Sequence, residues 1–401
     1  MSSEATAKKL APVKSRKRVT ILGSTGSVGC QTIDLIERAP EKFDVVALTA
    51  HKNVEKLIEQ AKRLKPELVV IGDESQHAAL KAALAGTNIA VAAGAQAIIE
   101  AAQVDSDWVM SAIVGAAGLP GTLAAARRGA TIAFANKETL VCAGPLMMKL
   151  VAECGAQLLP VDSEHNAIWQ VFDFERRDAI SRLILTASGG PFRTRSREEM
   201  KTMTPEQAIK HPVWNMGAKI SIDSATLMNK ALEVIEAHFL FAMPSEKIDV
   251  IVHPQSVIHS MVEYEDGSVL AQLGSPDMRT PIGYCLAWPQ RMETPAAKLD
   301  FAKLGQLTFE APDVVKFPAL RFAREAMAKG GTSPATLNAA NEVAVQAFLD
   351  KRIGFLDIER VNEETLNGLP VAALTDLDTL HEADQAARRF AGECLTKLSA
   401  R

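Results

Sequence analysis

Cysteine is scarce in this 401-residue sequence, and none of its cysteines forms a C-x-x-C pair. The five that occur, Cys30, Cys142, Cys154, Cys285 and Cys394, are odd in number and widely scattered. This distribution argues against a disulfide framework and against a cysteine-based zinc site. It favours reduced thiols and therefore predicts a cytoplasmic protein.

Long apolar runs and a strong charge of either sign are also missing. No apolar segment reaches the length that spans a bilayer, so no membrane attachment is expected. The net charge of -4 gives no electrostatic basis for binding nucleic acid. Residues 1–17 are polar and lysine-bearing, without an apolar core or a cleavage-like site. This composition predicts a disordered tail and not a signal peptide.

A glycine-rich turn is the first informative motif. The apolar run of residues 18–22 leads into the glycines of residues 23–29, and the helix-like segment 30–38 comes next. This G-x-x-G-x-x-G arrangement is a variant of the dinucleotide-binding fingerprint, in which the backbone approaches a pyrophosphate at a helix start. Strands and helices alternate as far as residue 160, so we predict an α/β fold with a Rossmann-like N-terminal domain over residues 18–160.

The end of the second predicted strand, residues 43–49, indicates which dinucleotide binds. An NAD site would place an acid there for the ribose 2′-hydroxyl, whereas this chain has His51, Lys52 and Asn53. A lysine attracts a 2′-phosphate, so the sequence favours NADP(H). The alternative is that Lys52 lies in a solvated loop.

Two acids, Asp162 and Glu164, follow the short apolar run of residues 157–161. Along an extended chain, alternation would turn both side chains to the same face at a strand's carboxyl end. Two carboxylates that close repel each other unless a cation relieves them, and hard ions such as Mg²⁺ or Mn²⁺ prefer oxygen ligands. A solvated turn or a helix cap is the alternative interpretation.

A third carboxylate lies on a helix for which Asp223 or Ser224 is the predicted N-cap. On this helix Asn229, Lys230 and Glu233 fall at i, i+1 and i+4, and their side chains converge on one patch. Asparagine and lysine suit phosphate oxygens, and the glutamate suits a metal. Alternatively, Lys230 and Glu233 form a surface ion pair of little energy.

Polar residues also follow two other predicted strands. Asn136, Lys137 and Glu138 stand at the carboxyl end of a strand, where open α/β sheets bind ligands, although Asn136 would also serve as a helix cap. Ser188 precedes two glycines in a turn that suits an anion, or that is simply a turn. These positions are candidates for ligand contacts.

Residues 194–218 predict a mobile flap. Trp214 stands between Pro212 and Gly217 in a polar neighbourhood, which is typical of an aromatic cover over a site. A tryptophan buried in the core is the competing interpretation.

The remaining sequence predicts two further units. Residues 249–264 and 268–273 alternate around a Glu-Asp-Gly turn and indicate a hairpin, so a mixed sheet is expected in a catalytic, metal-binding and dimerisation domain over residues 161–288. His253 and His259 in this region are expected to be structural. Residues 289–313 predict a linker, and residues 314–401 a small helical domain with helices at 317–329, 333–349, 357–366 and 377–398.

Together these motifs resemble one family, 1-deoxy-D-xylulose 5-phosphate reductoisomerase of the non-mevalonate isoprenoid pathway. The segments that carry the resemblance are 23–27 (GSTGS), 135–138 (ANKE), 161–166 (VDSEHN), 187–192 (ASGGPF), 223–230 (DSATLMNK) and 253–260 (HPQSVIHS). The resemblance implies a metal-dependent α-ketol (retro-aldol/aldol) rearrangement of a small phosphorylated sugar. Reduction by NADPH to 2-C-methyl-D-erythritol 4-phosphate would follow, in a protein that is typically a homodimer.

The resemblance also implies roles for individual residues. The metal ligands would be Asp162, Glu164 and Glu233. The NADPH contacts would be Thr25, Gly26, Ser27, Val28, Lys52, Asn53, Asn136, Glu138 and Gly217. The substrate contacts would be Lys137, Ser163, Glu164, Ser188, His211, Ser224, Asn229, Lys230 and Glu233, with Trp214 lying over the substrate in the closing flap. The catalytic residues would be Lys137, Asp162, Glu164, His211 and Glu233.

One position departs from the family pattern. His51 stands where a glycine is expected before the Lys-Asn pair. A protonated histidine would add to the binding of the 2′-phosphate, whereas a bulky neutral one would crowd the ribose. Both effects on the cofactor stay open at the level of sequence.

Two other functions compete with this one. A different Rossmann enzyme, such as an amino-acid semialdehyde or homoserine-type dehydrogenase, explains the N-terminal half but gives no role to three carboxylates. A non-catalytic NADP(H)-sensing module would bind the cofactor without metal-dependent oxidation of NADPH. The decisive question is whether Asp162, Glu164 and Glu233 meet.

Overall fold

The structure, a computed structural model, describes residues 16–214 and 216–399. Most of the tail predicted for residues 1–17 therefore lies outside the described residues. Of the two described tail residues, Lys17 already belongs to the first strand. No helix in the described ranges combines the length and the apolarity needed to cross a membrane.

A seven-stranded parallel sheet forms the N-terminal half, in the order β4-β3-β2-β1-β5-β6-β7. Its strands are β1 (Lys17–Leu22), β2 (Phe43–Ala50), β3 (Leu68–Ile71), β4 (Ala90–Ala93), β5 (Trp108–Ser111), β6 (Thr131–Phe134) and β7 (Gln157–Pro160). The helices between them are α1 (Ser27–Glu37), α2 (Val54–Leu64), α3 (His77–Ala83), α4 (Ala95–Gln103), α5 (Leu119–Arg127) and α6 (Lys137–Cys154).

This sheet is buried on both faces, as its nearly continuous apolar strands require. Ile21 of β1 packs into one hydrophobic core and the neighbouring Leu22 into another, since successive side chains point to opposite faces. The strand order reverses between β1 and β5, and ligands bind at such a switch point, beyond the carboxyl ends of the strands. The predicted Rossmann-like fold is confirmed.

The second unit contains a four-stranded mixed sheet, in the order β11-β10-β8-β9. Its strands are β8 (Ile180–Ala187), β9 (Ile248–Val252), β10 (Ile258–Tyr264) and β11 (Val269–Leu273). β10 runs antiparallel to both β8 and β11, and β8 runs parallel to β9, so the predicted mixed sheet is confirmed. The predicted hairpin is present with a shorter first arm, because residues 249–264 are divided between β9 and β10 and only β10 pairs with β11. The helices are α7 (Ser163–Val171), α8 (Arg197–Met200), α9 (Pro205–Ala208), α10 (Ala218–Ala225), α11 (Met228–Phe241), α12 (Arg279–Ala287) and α13 (Phe301–Leu304).

Four helices complete the chain: α14 (Ala319–Lys329), α15 (Ser333–Leu349), α16 (Asp357–Gly368) and α17 (Leu377–Ser399). They agree closely with the four predicted helices. α15 packs against α16, α17 and α6, and its buried face joins a hydrophobic core with Ile222 and Leu227 of the second unit. The C-terminal helices therefore pack directly against α6 and against the second unit.

The predicted start of the helix at Asp223 or Ser224 is wrong. α10 begins at Ala218 after Gly217, so both residues lie inside it, and it ends at Ala225. Leu227 then adopts a left-handed conformation, with φ 61°, and α11 begins at Met228. The leucine is 4% exposed, so its packing offsets the backbone strain of a left-handed non-glycine residue.

Candidate active site

A cavity of about 180 Å³ lies beyond the carboxyl ends of β1, β6, β7 and β8. Its wall includes Ser27 and Val28 at the start of α1, and Asn229, Lys230 and Glu233 from α11. Every side chain predicted to contact the substrate lines this cavity, and so does Asp162. The sequence motifs of both halves therefore meet at one place.

The three predicted metal ligands come together. Oxygen atoms of Asp162, Glu164 and Glu233 all lie within 4.8 Å of one another. The predicted strand alternation behind the first pair is wrong, because β7 ends at Pro160 and Asp162 is the N-cap of α7. Its Oδ1 accepts a hydrogen bond of 3.2 Å from the backbone N–H of Glu164, so a helix start brings the two acids together. The helix-cap interpretation is therefore confirmed, and the same geometry is compatible with the predicted metal site, which stays a prediction.

Two lysines neutralise these carboxylates. Lys137 Nζ lies 2.6 Å from Asp162 Oδ2 and 3.1 Å from Glu233 Oε1. Lys230 Nζ lies 2.9 Å from Glu164 Oε1 and also contacts Glu233. Glu233 is fully buried, so its contact with Lys230 is part of a buried ionic cluster and the surface-pair interpretation is wrong.

The electrostatics of the cluster suit a cation. Burial raises the pKa of Asp162, but Lys137, His165 and Lys230 outweigh burial and hold that pKa below its ordinary value. Burial raises the pKa of Glu164 to about 7, with Glu233 and Asp162 adding to the rise and Lys230 opposing it. Three converging carboxylates form the oxygen-rich donor set that a hard divalent ion requires, and the residues present therefore fit such an ion.

Sequence reasoning missed a pair of residues behind the cluster. His165 Nδ1 lies 3.1 Å from Glu236 Oε2, and His165 Nε2 lies 3.0 Å from the carbonyl oxygen of Glu233. Burial lowers the pKa of His165, but Glu236 outweighs burial and raises it to about 9. The pair fixes α7 against α11. Helical spacing in the sequence could have revealed this pair, because His165 stands three residues after Asp162 and Glu236 stands three residues after Glu233.

The turn after β8 supplies the opposite wall. Gly190 has φ 68°, and a Cβ atom there would lie 2.5 Å from the carbonyl oxygen of Ser224, so this close approach requires glycine. Ser188 Oγ accepts a hydrogen bond of 3.2 Å from the backbone N–H of Gly190. The hydroxyl is thus fixed at the cavity surface beside α10.

His211 connects this turn to the predicted flap. Its Nδ1 accepts hydrogen bonds from the backbone N–H groups of Val213 and Trp214, at 3.1 and 2.8 Å. Burial lowers the pKa of His211 to about 4, so the ring is neutral near pH 7 and its hydrogen is on Nε2. Nε2 therefore donates to Ser188 Oγ at 2.8 Å. The histidine orients Ser188 and the backbone before Trp214.

Trp214 is half-buried and lines the cavity, with its ring centroid 6.1 Å from that of His259. This position agrees with an aromatic cover and not with a core tryptophan. The motion expected of residues 194–218 stays a prediction. His259 also lines the cavity, and its pKa is lowered to about 4, chiefly by burial.

The other histidine of this region, His253, is buried away from the cavity wall. Its Nδ1 lies 2.9 Å from the carbonyl oxygen of Thr308, and its Nε2 accepts a hydrogen bond from the backbone N–H of Val257. Neither His253 nor His259 belongs to a group close enough to share an ion within the described residues. The expectation that both histidines are structural stays a prediction.

Residues predicted to contact the cofactor lie along the same edge of the parallel sheet. The glycine turn after β1 is tied to the end of β2, since Thr49 Oγ1 accepts a hydrogen bond of 3.0 Å from the N–H of Gly23. A Cβ atom on Gly29 would lie 2.4 Å from the carbonyl oxygen of Gly23, so glycine is required there. Ser27, Val28 and Gly217 of this group form part of the cavity wall. The members outside the wall are Thr25, Gly26, His51, Lys52, Asn53, Asn136 and Glu138.

Within this group His51 and Lys52 are exposed, and Asn53 caps α2 by accepting from the N–H of Lys56 at 3.1 Å. The solvated-loop interpretation of Lys52 and a role in cofactor binding are both compatible with this exposure. Gly217, by contrast, is part of the cavity wall and is the N-cap of α10.

Asn136 and Glu138 point away from the cavity wall. Asn136 Nδ2 donates to the carbonyl oxygens of Ile113 and Gly115, at 2.5 and 3.0 Å, so its side chain does not cap α6. Its Oδ1 is buried and has no hydrogen-bond partner in the described part of the chain, which leaves an acceptor beside the switch point. Glu138 Oε1 accepts a hydrogen bond of 2.8 Å from Lys219 Nζ.

Three family models match the chain. Their descriptions are 1-deoxy-D-xylulose 5-phosphate reductoisomerase for residues 19–144, the C-terminal domain of 1-deoxy-D-xylulose 5-phosphate reductoisomerase for residues 158–241, and the DXP reductoisomerase C-terminal domain for residues 273–390. Together they span most of the seven-stranded sheet, strand β8 of the second sheet and most of the C-terminal helices.

Relatives of the same name match along nearly their whole length. The 1-deoxy-D-xylulose 5-phosphate reductoisomerase of Rhodospirillum centenum is 66% identical over 377 residues, which cover 94% of this chain and 94% of that protein. The corresponding protein of Zymomonas mobilis is 58% identical over 384 residues, which cover 96% of this chain and 99% of that protein.

Solved structures share this fold. The Zymomonas mobilis reductoisomerase in complex with NADPH superposes with a TM-score of 0.91 at 56% identity, covering 95% of this chain and 99% of that one. A DOX-P reductoisomerase in complex with NADPH, fosmidomycin and magnesium also gives a TM-score of 0.91, at 40% identity, covering 95% of this chain and 98% of that one.

Proposed function

Because the chain belongs to the 1-deoxy-D-xylulose 5-phosphate reductoisomerase family, we propose that its cavity performs a metal-dependent rearrangement followed by reduction with NADPH, and that the predicted site residues carry these steps. The protein is an NADPH-dependent oxidoreductase of isoprenoid precursor biosynthesis. It rearranges 1-deoxy-D-xylulose 5-phosphate and reduces the product to 2-C-methyl-D-erythritol 4-phosphate. NADPH and Mg²⁺ are its cofactors.

One observation carries this assignment of roles: oxygen atoms of Asp162, Glu164 and Glu233 lie within 4.8 Å of one another. They do so in a cavity whose wall also includes Ser27 and Val28, which follow the glycine-rich turn predicted to bind the dinucleotide. These side chains hold the divalent ion. A bound divalent ion supplies Lewis-acid chemistry, polarising the ketone and a neighbouring hydroxyl and stabilising charge as the C–C bond breaks. Lys137 and Lys230 offset the negative charge of the ligands and orient them.

Another part of the cavity anchors the phosphate group of the substrate. Ser188, Ser224, Asn229 and Lys230 offer hydroxyl, amide and ammonium donors around one volume. His211 holds the Ser188 hydroxyl and the backbone before Trp214, so phosphate binding and flap position are connected. Binding energy from this remote group helps to close the flap, which excludes water from the aldehyde intermediate.

The cofactor occupies the carboxyl edge of the parallel sheet. Thr25, Gly26, Ser27 and Val28 bind the pyrophosphate at the start of α1. Lys52 and its neighbours His51 and Asn53 bind the 2′-phosphate end, and Asn136, Glu138 and Gly217 border the nicotinamide end. NADPH supplies the hydride that reduces the rearranged aldehyde.

Some finer features also belong to the proposal. The domains comprise residues 18–160, 161–288 and 314–401, with 289–313 as a linker. Mn²⁺ supports the reaction in place of Mg²⁺, because a donor set made only of carboxylates accepts both ions. The protein is a cytoplasmic homodimer, which its five free cysteines and the edge strand β11 support, since Val269 and Leu270 of β11 are each about half exposed.

The experiment combines the protein, NADPH, Mg²⁺ or Mn²⁺, and 1-deoxy-D-xylulose 5-phosphate, and follows the loss of NADPH absorbance. Oxidation that requires both the metal and the substrate is expected. Binding of NADPH without such oxidation would favour a sensing module.

The phosphate site has a matched pair of variants. Ser224→Ala should raise the KM for the sugar phosphate, whereas Ser221→Ala should leave it unchanged, since Ser221 lies on the same helix and donates to the carbonyl oxygen of Gly217. Equal KM values for the two variants would contradict the role of Ser224.

A further inference from the structure

A line of polar side chains connects the C-terminal helices with the catalytic cavity. Asn341 of α15 donates from Nδ2 to Asp223 Oδ1 of α10 at 2.7 Å. Asp223 Oδ2 lies 3.0 Å from Lys219 Nζ, and the same ammonium group donates to Glu138 Oε1 at 2.8 Å. The line thus extends from α15 across α10 to the first turn of α6.

These groups are largely removed from water. Asn341 is fully buried, Asp223 is 2% exposed, and Glu138 is 6% exposed. Burial lowers the pKa of Lys219, but Asp223 and Glu138 outweigh burial and raise it, while the lysine holds the pKa of Glu138 below its ordinary value against burial. Because buried polar groups are costly when a partner is lost, the side chains of Asn341, Asp223, Lys219 and Glu138 hold one another in a single arrangement.

The line reaches the cavity at two points. α10 presents Lys219 and Asp223 to this line, and it presents Ile220 and Ser224 to the cavity. The N-cap of α10, Gly217, also lies at the C-terminal end of the flap predicted for residues 194–218. At the other end of the line, Glu138 directly follows Lys137 in the chain, and the ammonium group of Lys137 contacts Asp162 and Glu233 of the predicted metal site.

We propose that Asn341 and Lys219 are positioning residues, which fix α10 against α6 and α15 and so hold Ser224 and the base of the flap in register with the metal-ligand cluster. None of the described residues of the cavity wall belongs to α15, so this helix acts on the reaction through α10. The inference rests on the proposed phosphate role of Ser224. It gives the C-terminal helices a part in substrate binding beyond their packing role.

The first test compares two buried asparagines of α15. Asn341→Leu removes the hydrogen bond to Asp223. Asn338→Leu is the control, because Asn338 is equally buried but donates to Glu342 of its own helix, and Glu342 is also held by Arg388 at 2.6 Å. Both variants should lower the melting temperature. Asn341→Leu alone should raise the KM for the sugar phosphate, by about tenfold, as expected for ordinary coupling between sites, with a smaller change in kcat.

A second pair of variants keeps the proposal testable if Asn341→Leu folds poorly. Lys219 has a side chain that is 23% exposed, so its replacement is tolerated more easily. Lys219→Met should raise the KM for the sugar phosphate. Lys219→Arg keeps the positive charge, so its KM should stay much closer to that of the parent protein. Kinetic constants of Asn341→Leu equal to those of the control, or of Lys219→Met equal to those of the parent protein, would overturn the proposal. Failure of the proposed function itself would appear differently, as a parent protein without metal-dependent oxidation of NADPH.

Discussion

Replacing Glu233 by glutamine isolates the charge of one metal ligand. Glu233 is fully buried, and its Oε1 accepts hydrogen bonds from Lys137 at 3.1 Å and from Asn229 at 2.5 Å. Glutamine keeps the size and one oxygen but removes the negative charge. We expect Glu233→Gln to lose most of its turnover while the fold and NADPH binding survive.

The magnitude of the loss follows from a general estimate for a pair of partly screened charges. At an effective dielectric constant of about 20, two unit charges about 4 Å apart interact by about 4 kcal/mol. The remaining amide oxygen recovers a small part of this energy, so about 3–4 kcal/mol of attraction for the ion is lost. Each 1.4 kcal/mol is about tenfold, so the dissociation constant of Mg²⁺ should rise about 10²- to 10³-fold.

The assay measures the initial rate of NADPH oxidation as the Mg²⁺ concentration is varied, with Mn²⁺ binding measured separately by electron paramagnetic resonance. Glu236→Gln is the matched control. Glu236 lies three residues further along α11, is 1% exposed and contacts His165 without lining the cavity. Both variants should lose stability, but only Glu233→Gln should change the metal requirement so strongly. A parent-like rate and metal requirement in Glu233→Gln would refute the metal assignment.

Two further predictions concern pH and cofactor choice. Burial raises the pKa of Glu164 to about 7, above the value of about 4.3 for an unfolded chain. The native state therefore binds more protons between these values, and its stability should fall as pH rises from about 4.3 to 7. Mg²⁺ affinity should rise over the same interval, because the ion requires the ionised carboxylate; calorimetric titration at several pH values with no such rise would contradict this. Lys52→Ala should raise the KM for NADPH more than that for NADH, because only NADPH carries the 2′-phosphate; equal effects on the two would remove Lys52 from cofactor choice.

The sequence predicted those features that depend on local pattern. The glycine turn, the βα alternation and the C-terminal helices are periodic over many residues, and the helix predicted at residues 333–349 is exactly bounded as α15. The three acids predicted to bind a metal do meet in the structure, although the sequence argument for Asp162 and Glu164 was partly wrong. The side chains of an aspartate and of a glutamate two residues later can come together either at the end of a strand or at the start of a helix. In this chain the end of β7 at Pro160 and the helix cap at Asp162 show that the helix start is responsible.

Other features depend on contacts that local pattern does not contain. Nothing in Thr226 or Leu227 signals a helix break, since neither is glycine or proline, and the left-handed leucine is held by its burial among residues from distant segments. The pair of His165 and Glu236 joins two helices, so its geometry needed the assembled fold. The same holds for Asn341, which meets Asp223 across 118 residues of chain.

The edge strand β11 has a consequence for handling the protein. Val269 and Leu270 are 46% and 49% exposed on a strand that ends the mixed sheet, and such an edge is a template on which further strands can add. A chain whose edge is not covered would be prone to aggregate through this strand. Heat inactivation would then become faster as the protein is concentrated, unless a second subunit shields the edge, in which case dilution would be the damaging condition.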